Sequence, residues 1–291
     1  MSLIGSLKVT DTTANTVVTS AGIQMPRILY GTAWKKELTD GLVQMAIRHG
    51  FRGVDTACQP KHYQEAGVGA AVAACVASGM TRQEFFLQTK FTSVSGQDPK
   101  RIPYDPRASL ADQVAQSFDV SLANLRTHYV DSLVLHSPYP RGEQTFEAWR
   151  ALEELVDRGS VRQLGISNCY SLDVLRTLHG ASRIKPAVVQ NRFYAETGYD
   201  RELRAFCREQ GIVYQSFWTL TANPRLLATY VVQSLAIAYG RTPEQILFRY
   251  LTQVDVVPLT GTTSESHMKE ALAIFDFELS AMELKGITTL L

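Results

Sequence analysis

Short apolar runs alternate with longer segments of helical period along nearly the whole chain. The runs Ile28–Tyr30, Gly53–Asp55, Phe85–Lys90, Ser132–His136, Gln163–Ser167, Val188–Gln190, Val213–Ser216 and Val256–Pro258 read as strands. Helical patterns fall near 39–49, 64–78, 109–126, 145–158, 171–179, 200–209, 225–252 and 264–273. Helix starts carry caps: Thr39 before Asp40, Ser171 before Asp173, and Thr242-Pro243 with Gln245 following. Gly50, Gly79, Gly159, Gly180 and Gly211 stand near helix ends. Gly240 and Pro243 interrupt the 230–252 stretch, which predicts an extra helix followed by a regular outer one.

Successive strand–helix units predict a parallel sheet with helices outside it. The architecture expected is an α/β fold, a single-domain (β/α)₈ TIM barrel over residues 1–291. A doubly wound sheet would announce a dinucleotide site by G-x-G-x-x-G after its first strand. The nearest match, Gly67-Val68-Gly69, sits inside an alanine-rich helical stretch and predicts close helix packing instead. The segment 92–108, with its three prolines, is expected to be a long functional loop.

Barrel enzymes carry their chemistry where strands end. Those positions hold Asp55, Lys90 and His136 after three successive strands, then Ser167 and Asn168, then Gln190, with Gln215 in the next strand. Each alone is a weak signal; their succession at one end of a barrel is the informative feature.

Composition narrows the partners. Lysine plus arginine number 29 against 28 acidic residues, a net charge of +1. No basic tract favours nucleic acid or an anionic membrane, so a small molecule is the expected partner. The four cysteines (Cys58, Cys75, Cys169, Cys207) form no CxxC pair, and the leading MSLIGSLKVTDTTANTVVTS lacks an apolar leader core. A cytoplasmic protein with reduced thiols is expected, as a monomer or weak oligomer. The six histidines show neither an HxH after the first strand nor an HExxH, so no metal site is expected.

The chain resembles the aldo-keto reductase family over almost its whole length. The matching segments are VDTA (54–57), HYQEAGVG (62–69), QTKF (88–91), LVLHSP (133–138), GISN (165–168), VVQNRF (188–193) and FDFELS (275–280). The resemblance implies a nicotinamide-dependent reductase of aldehydes or ketones, with Tyr63 as proton donor and Asp55, Lys90 and His136 as its companions. A phenol titrates near ~10 unaided. A neighbouring ammonium is expected to lower that value, and a carboxylate to hold the ammonium. The alternative is a cofactor-binding redox sensor on the same barrel with little turnover, since fold alone does not fix activity.

By the same resemblance, Ser167, Asn168 and Gln190 hold the nicotinamide carboxamide, and Gly31 and Thr32 lie where the cofactor meets the backbone. Gly261, Thr262 and Thr263, with Thr260 before them, are expected to meet a phosphate. Three departures stand out. The interval between Asp55 and Glu65 is longer than in the family's D-T-A-x-x-Y-x-N-E form, and counting back from Glu65 puts His62 at the usual tyrosine position, with Tyr63 one later. Pro258-Leu259-Thr260 replaces P-K-S, leaving His267 or Lys269 to serve the 2′-phosphate and Glu270 the adenine; NADPH is preferred and NADH is the alternative. Gln215 aligns where a tyrosine stacks on the nicotinamide. The chain also ends soon after FDFELS, so a more open substrate pocket is expected, with Trp34, Tyr139 and Trp218 as aromatic walls.

Overall fold

A computed structural model describes residues 15–291. Residues 1–14, and with them most of the leading segment and the start of the expected 1–291 domain, lie outside the described residues. The first element is an antiparallel ribbon, β1 (Thr16–Val18) and β2 (Gln24–Pro26), turned at Gly22 with φ +76°. Its pattern is too short to stand out in the sequence, yet it has a definite job. Met25 is fully buried and packs with Leu29, Phe86, Val188, Val213 and Val257, residues near the starts of barrel strands, so the ribbon plugs the barrel's N-terminal end.

Eight parallel strands then close a barrel in the order β10-β3-β4-β5-β6-β7-β8-β9. They are β3 (Leu29–Gly31), β4 (Gly53–Asp55), β5 (Phe86–Phe91), β6 (Ser132–Leu135), β7 (Leu164–Ser167), β8 (Val188–Arg192), β9 (Val213–Phe217) and β10 (Val256–Thr260). The strands match the apolar runs, but β8, β9 and β10 extend further than those runs, to Arg192, Phe217 and Thr260. Polar and bulky residues at these ends face the cavity mouth, where no apolar core selects for alternation. Register aligns Asp55 with Gln88, Ser167 with Gln190, Gln190 with Gln215, and Arg192 with Phe217.

The helices are α1 (Thr39–His49), α2 (Glu65–Ala77), α3 (Leu110–Leu125), α4 (Gly142–Asp157), α5 (Leu172–Ala181), α6 (Arg201–Glu209), α7 (Pro224–Leu227), α8 (Tyr230–Tyr239), α9 (Pro243–Gln253), α10 (Glu265–Leu272) and α11 (Ala281–Thr288). The long 225–252 pattern becomes α7, α8 and α9. Thr229 caps the second of these, Gly240 ends it at φ +61°, and Thr242 with Gln245 forms a capping box on the third. Thr39 opens α1 instead of capping it: its hydroxyl turns back to the Lys36 carbonyl at 2.7 Å. Helix α11 was not anticipated; a Ser280–Glu283 capping box starts it directly after FDFELS.

Gly67 and Gly69 are packing residues. A Cβ on Gly69 would stand 2.0 Å from the Asn124 carbonyl oxygen, and one on Gly67 would stand 2.9 Å from Thr39 Cβ. Both glycines let α2 approach its neighbours α3 and α1, as read from the sequence. The segment 92–108 holds only a short 3₁₀ turn, Val94–Gly96, and is tied down by Tyr104 Oη to the Thr92 carbonyl at 2.6 Å. No helix among the described residues is long and apolar enough to cross a membrane.

Candidate active site

A cavity of about 920 Å³ opens at the C-terminal ends of the barrel strands. Asp55, Tyr63 and His136 line it, and Lys90 sits directly beneath. Lys90 is 1% exposed, and its ammonium donates to both Asp55 carboxylate oxygens, at 2.7 and 2.6 Å, and to the Thr56 carbonyl at 2.8 Å. Three donors meet three acceptors, which is what a buried ammonium requires. Burial pulls the Lys90 pKa down, while the Asp55 charge holds it up.

Asp55 is held from below by neutral amides. Gln88 Nε2 and Gln190 Nε2 donate to its Oδ1 at 2.7 and 2.9 Å. The same two amides donate to Gln215 Oε1 at 2.7 and 2.9 Å, and Gln215 Nε2 donates back to Gln88 Oε1 at 3.1 Å. Strands β4, β5, β8 and β9 are thereby joined across the barrel interior. This fixes the carboxylate without adding a charge.

The Tyr63 ring centroid lies 5.2 Å from the Lys90 ammonium and 6.1 Å from the His136 ring. Its hydroxyl makes no hydrogen bond among the described residues. The expected lowering of the phenol pKa does not occur in this state: burial raises it, and the Asp55 charge raises it further. Lys90 is neutralised by the carboxylate in its grip, so desolvation wins and the phenol stays protonated.

His136 follows β6. Its Nδ1 lies 2.6 Å from Thr92 Oγ1, whose hydroxyl has no other partner among the described residues. With that hydroxyl donating to Nδ1, the proton of the neutral ring sits on Nε2; with Nδ1 donating to the hydroxyl, Nε2 is the free acceptor. Burial first, then the Lys90 charge, lowers the His136 pKa to about 3. His62 is set differently. Gln59 Nε2 donates to the Gly96 carbonyl at 2.7 Å, which presents Gln59 Oε1 to His62 Nδ1 at 2.9 Å. The His62 ring packs on Trp34 at 3.9 Å between centroids. Both His62 and Tyr63 line the cavity, but Tyr63 is the one over the Lys90–Asp55 pair.

On the opposite side, Ser167, Asn168 and Gln190 line the cavity together. Ser167 Oγ donates to the Gln190 carbonyl at 2.7 Å, and Asn168 Nδ2 donates to the His136 carbonyl at 2.9 Å. Asn168 adopts φ +51°, a left-handed conformation that asparagine tolerates better than most residues. Gln190 spends its amide protons on Asp55 and Gln215, and its Oε1 has no partner among the described residues.

Gly31, Thr260, Gly261 and Thr262 also border the cavity. Thr32 does not; it is fully buried, and its hydroxyl donates to the Asp55 carbonyl at 2.9 Å. Thr263 and His267 are exposed, Glu270 is half-buried, and all three lie outside the cavity lining. Gln215 requires a correction. It is fully buried in the amide network, and the aromatic residue of β9 at the cavity is Phe217, two positions further on. The direct alignment was two residues out, which preserves the inward face but misses the layer.

A family model described as Aldo/keto reductase family matches residues 27–291. The chain belongs to the aldo-keto reductase family. Aldo-keto reductase family 1 member A1 of Mus musculus is 31% identical over 311 residues, 96% of this chain and 90% of that one. An aldo/keto reductase from Brucella melitensis has a solved structure with a TM-score of 0.79 and 28% identity, covering 94% of this chain and 98% of that one. A Bombyx mori aldo-keto reductase, solved in complex with NADP, shares the fold at a TM-score of 0.80 with 24% identity, covering 94% and 92% of the two chains. By this membership the protein is an oxidoreductase.

Some site residues of this aldo-keto reductase escaped the sequence. Thr92 hydrogen-bonds the His136 ring, and Gln88 supports Asp55. Lys35 and Arg192 are the lysine and arginine lining the cavity, and the Lys35 ammonium donates to the Gly261 carbonyl. Trp34 and Trp218, 62% and 50% exposed, flank the opening, and Tyr139 also lines it. Counting by twos from residues already singled out reaches four of these: Gln88 before and Thr92 after Lys90, Arg192 after Gln190 and Phe217 after Gln215. Lys35 had no such signal.

Proposed function

We propose that this aldo-keto reductase reduces an aldehyde or ketone to the alcohol with NADPH, using Tyr63 as the general acid. The observation that carries the proposal is the Tyr63 hydroxyl, protonated and without a partner, at the cavity above the Lys90–Asp55 pair and beside His136. The cavity suits a dinucleotide in size and charge. Its volume of about 920 Å³ falls in the range of cofactor sites. Lys35 and Arg192 offer positive charge to phosphates, while its lining carboxylate, Asp55, is taken up by Lys90.

When bound, the nicotinamide supplies the hydride that side chains cannot. Ser167, Asn168 and Gln190 would hold its carboxamide, with Gln190 Oε1 as an open acceptor for an amide N–H. Phe217 is the ring available to stack on it. The His136 Nε2–H donates to the carbonyl oxygen and sets its direction. A histidine whose pKa is held at about 3 is a neutral ring at neutral pH, without the acidic second proton of an imidazolium, so its one N–H orients the substrate and it does not act as the acid. As the carbonyl carbon gains its hydride, the oxygen becomes basic enough to take the Tyr63 proton. The phenolate left behind faces the Lys90 ammonium, which stabilises it more as charge develops than it did in the resting state.

The test is the loss of NADPH absorbance with a reactive aldehyde, for wild type and Tyr63→Phe. A fall in turnover of about 10²- to 10⁴-fold is expected, with NADPH affinity retained. Undiminished turnover in the variant removes Tyr63 as the acid. Tight NADPH binding with no carbonyl reduced by the wild type identifies the redox sensor instead.

A further inference from the structure

Unlike Arg82, Arg162 and Arg183, Arg192 has no side chain to hold among the described residues. Arg82 and Arg162 share Asp131 at 2.8 and 3.0 Å, and Arg183 reaches Asp157 at 2.6 Å. Arg192 has no carboxylate within ion-pairing distance among the described residues, and its Nε is buried without a hydrogen-bond partner. An unsatisfied buried N–H is costly, and such groups in a folded protein call for an explanation.

Its placement supplies one. Arg192 stands two residues beyond Gln190 on β8, level with Phe217 on β9, and lines the cavity. Its guanidinium carbon lies 4.1 Å from the Trp218 ring centroid and 5.2 Å from that of Tyr194. Stacking on rings occupies the faces of a guanidinium and leaves its two Nη groups, which have no hydrogen-bond partner among the described residues, as the donating surface, the geometry that suits a two-oxygen anion. Asp55 does not compete for it, being committed to Lys90 and two glutamine amides.

We propose that Arg192 is an oxyanion-binding residue of the cavity, receiving a phosphate or carboxylate group of a molecule bound there. The inference rests on the reductase reading for the identity of that molecule. The two sources are the diphosphate of the nicotinamide dinucleotide and a carboxylate carried by the carbonyl substrate.

Arg192→Gln and Arg192→Lys are compared with the wild type in three measurements. These are NADPH binding by quenching of tryptophan fluorescence, the KM ratio of a carboxylate-bearing to a neutral aromatic aldehyde, and thermal stabilisation by inorganic pyrophosphate and by malonate. Loss of a charge-assisted contact predicts about a tenfold or larger effect for Arg192→Gln, partly restored in Arg192→Lys. Weaker NADPH binding with an unchanged KM ratio assigns the diphosphate. A raised KM ratio with unchanged NADPH binding assigns the substrate carboxylate. If neither moves, the proposal is overturned, and Arg192 only packs Trp218. If the wild type neither binds NADPH nor reduces any aldehyde, the reductase reading fails by itself, and the anions decide this inference. Stabilisation by pyrophosphate or malonate that disappears in Arg192→Gln sustains it; no stabilisation, or equal stabilisation in all three proteins, overturns it. Should Arg192→Gln fail to fold, Arg192→Lys is read in the same way, since it keeps the charge and loses the fork.

Discussion

The two sides of the cavity satisfy their polar groups differently. On the side built by β4, β5 and β6, charges answer one another: Lys90 donates to Asp55 and Thr56, and His136 is fixed by Thr92. On the side built by β7 to β10, bonding capacity is left open, at Gln190 Oε1 and the Arg192 Nη groups. Groups that must keep a set protonation state gain from being saturated by the protein, because preorganised dipoles need no rearrangement during reaction. Groups that meet a ligand must retain unfilled valences. The first side has exceptions in the hydroxyls of Thr56, Tyr139 and Tyr63, and the last is the atom to which the proton transfer is assigned.

Breaking the saturated side has the largest expected consequence. Lys90→Met strands the Asp55 carboxylate in the barrel and should cost about 3–5 kcal/mol of stability in urea unfolding. Asp55→Asn combined with Lys90→Met removes both charges and should regain most of that loss without regaining turnover. A double variant no more stable than Lys90→Met alone would show that the pair is not what holds this side together. Gln215→Leu comes next. It deprives Gln88 and Gln190 of a shared acceptor, with an expected cost of about 1–3 kcal/mol, and a neutral result would detach the amide network from the comparison.

The smallest effect is a pH dependence. The unfolded chain binds a proton at His136 near ~6.5, whereas the folded ring resists protonation until about 3. The unfolded state thus binds more protons between these values, so stability falls as pH drops through that window and is unaffected above it. Because the ring borders an open cavity, a loss of about 1–2 kcal/mol by the acid end is expected. His136→Gln should flatten the acid limb of a stability–pH curve; an unaltered limb would place the titration elsewhere.

Much of this architecture was legible in the chain. Apolar runs located every barrel strand, and the Thr242–Gln245 pair and Gly240 located the break between α8 and α9, though not that between α7 and α8. Gly67 and Gly69 were readable as packing residues because an alanine-rich helix with two glycines must approach something closely. The β1–β2 ribbon was not legible, since three-residue strands carry too little periodicity. The charged floor of the site was visible as polar residues ending apolar strands. Its amide support was not, because glutamine on a strand looks the same whether it faces solvent or three other strands.

The sequence by itself determined the barrel and the place of Asp55, Lys90 and His136 at its strand ends, since strand period and strand ends are local properties of the chain. Tertiary structure decided what each residue does there. It placed Tyr63, not His62, over the ammonium, and put Phe217 in the cavity layer with Gln215 beneath it. It also raised the phenol pKa where a neighbouring charge alone would lower it, and left Arg192 without a counter-ion. Each of these depends on distances between strands far apart in the chain, and on how much water their packing excludes, which no local pattern encodes.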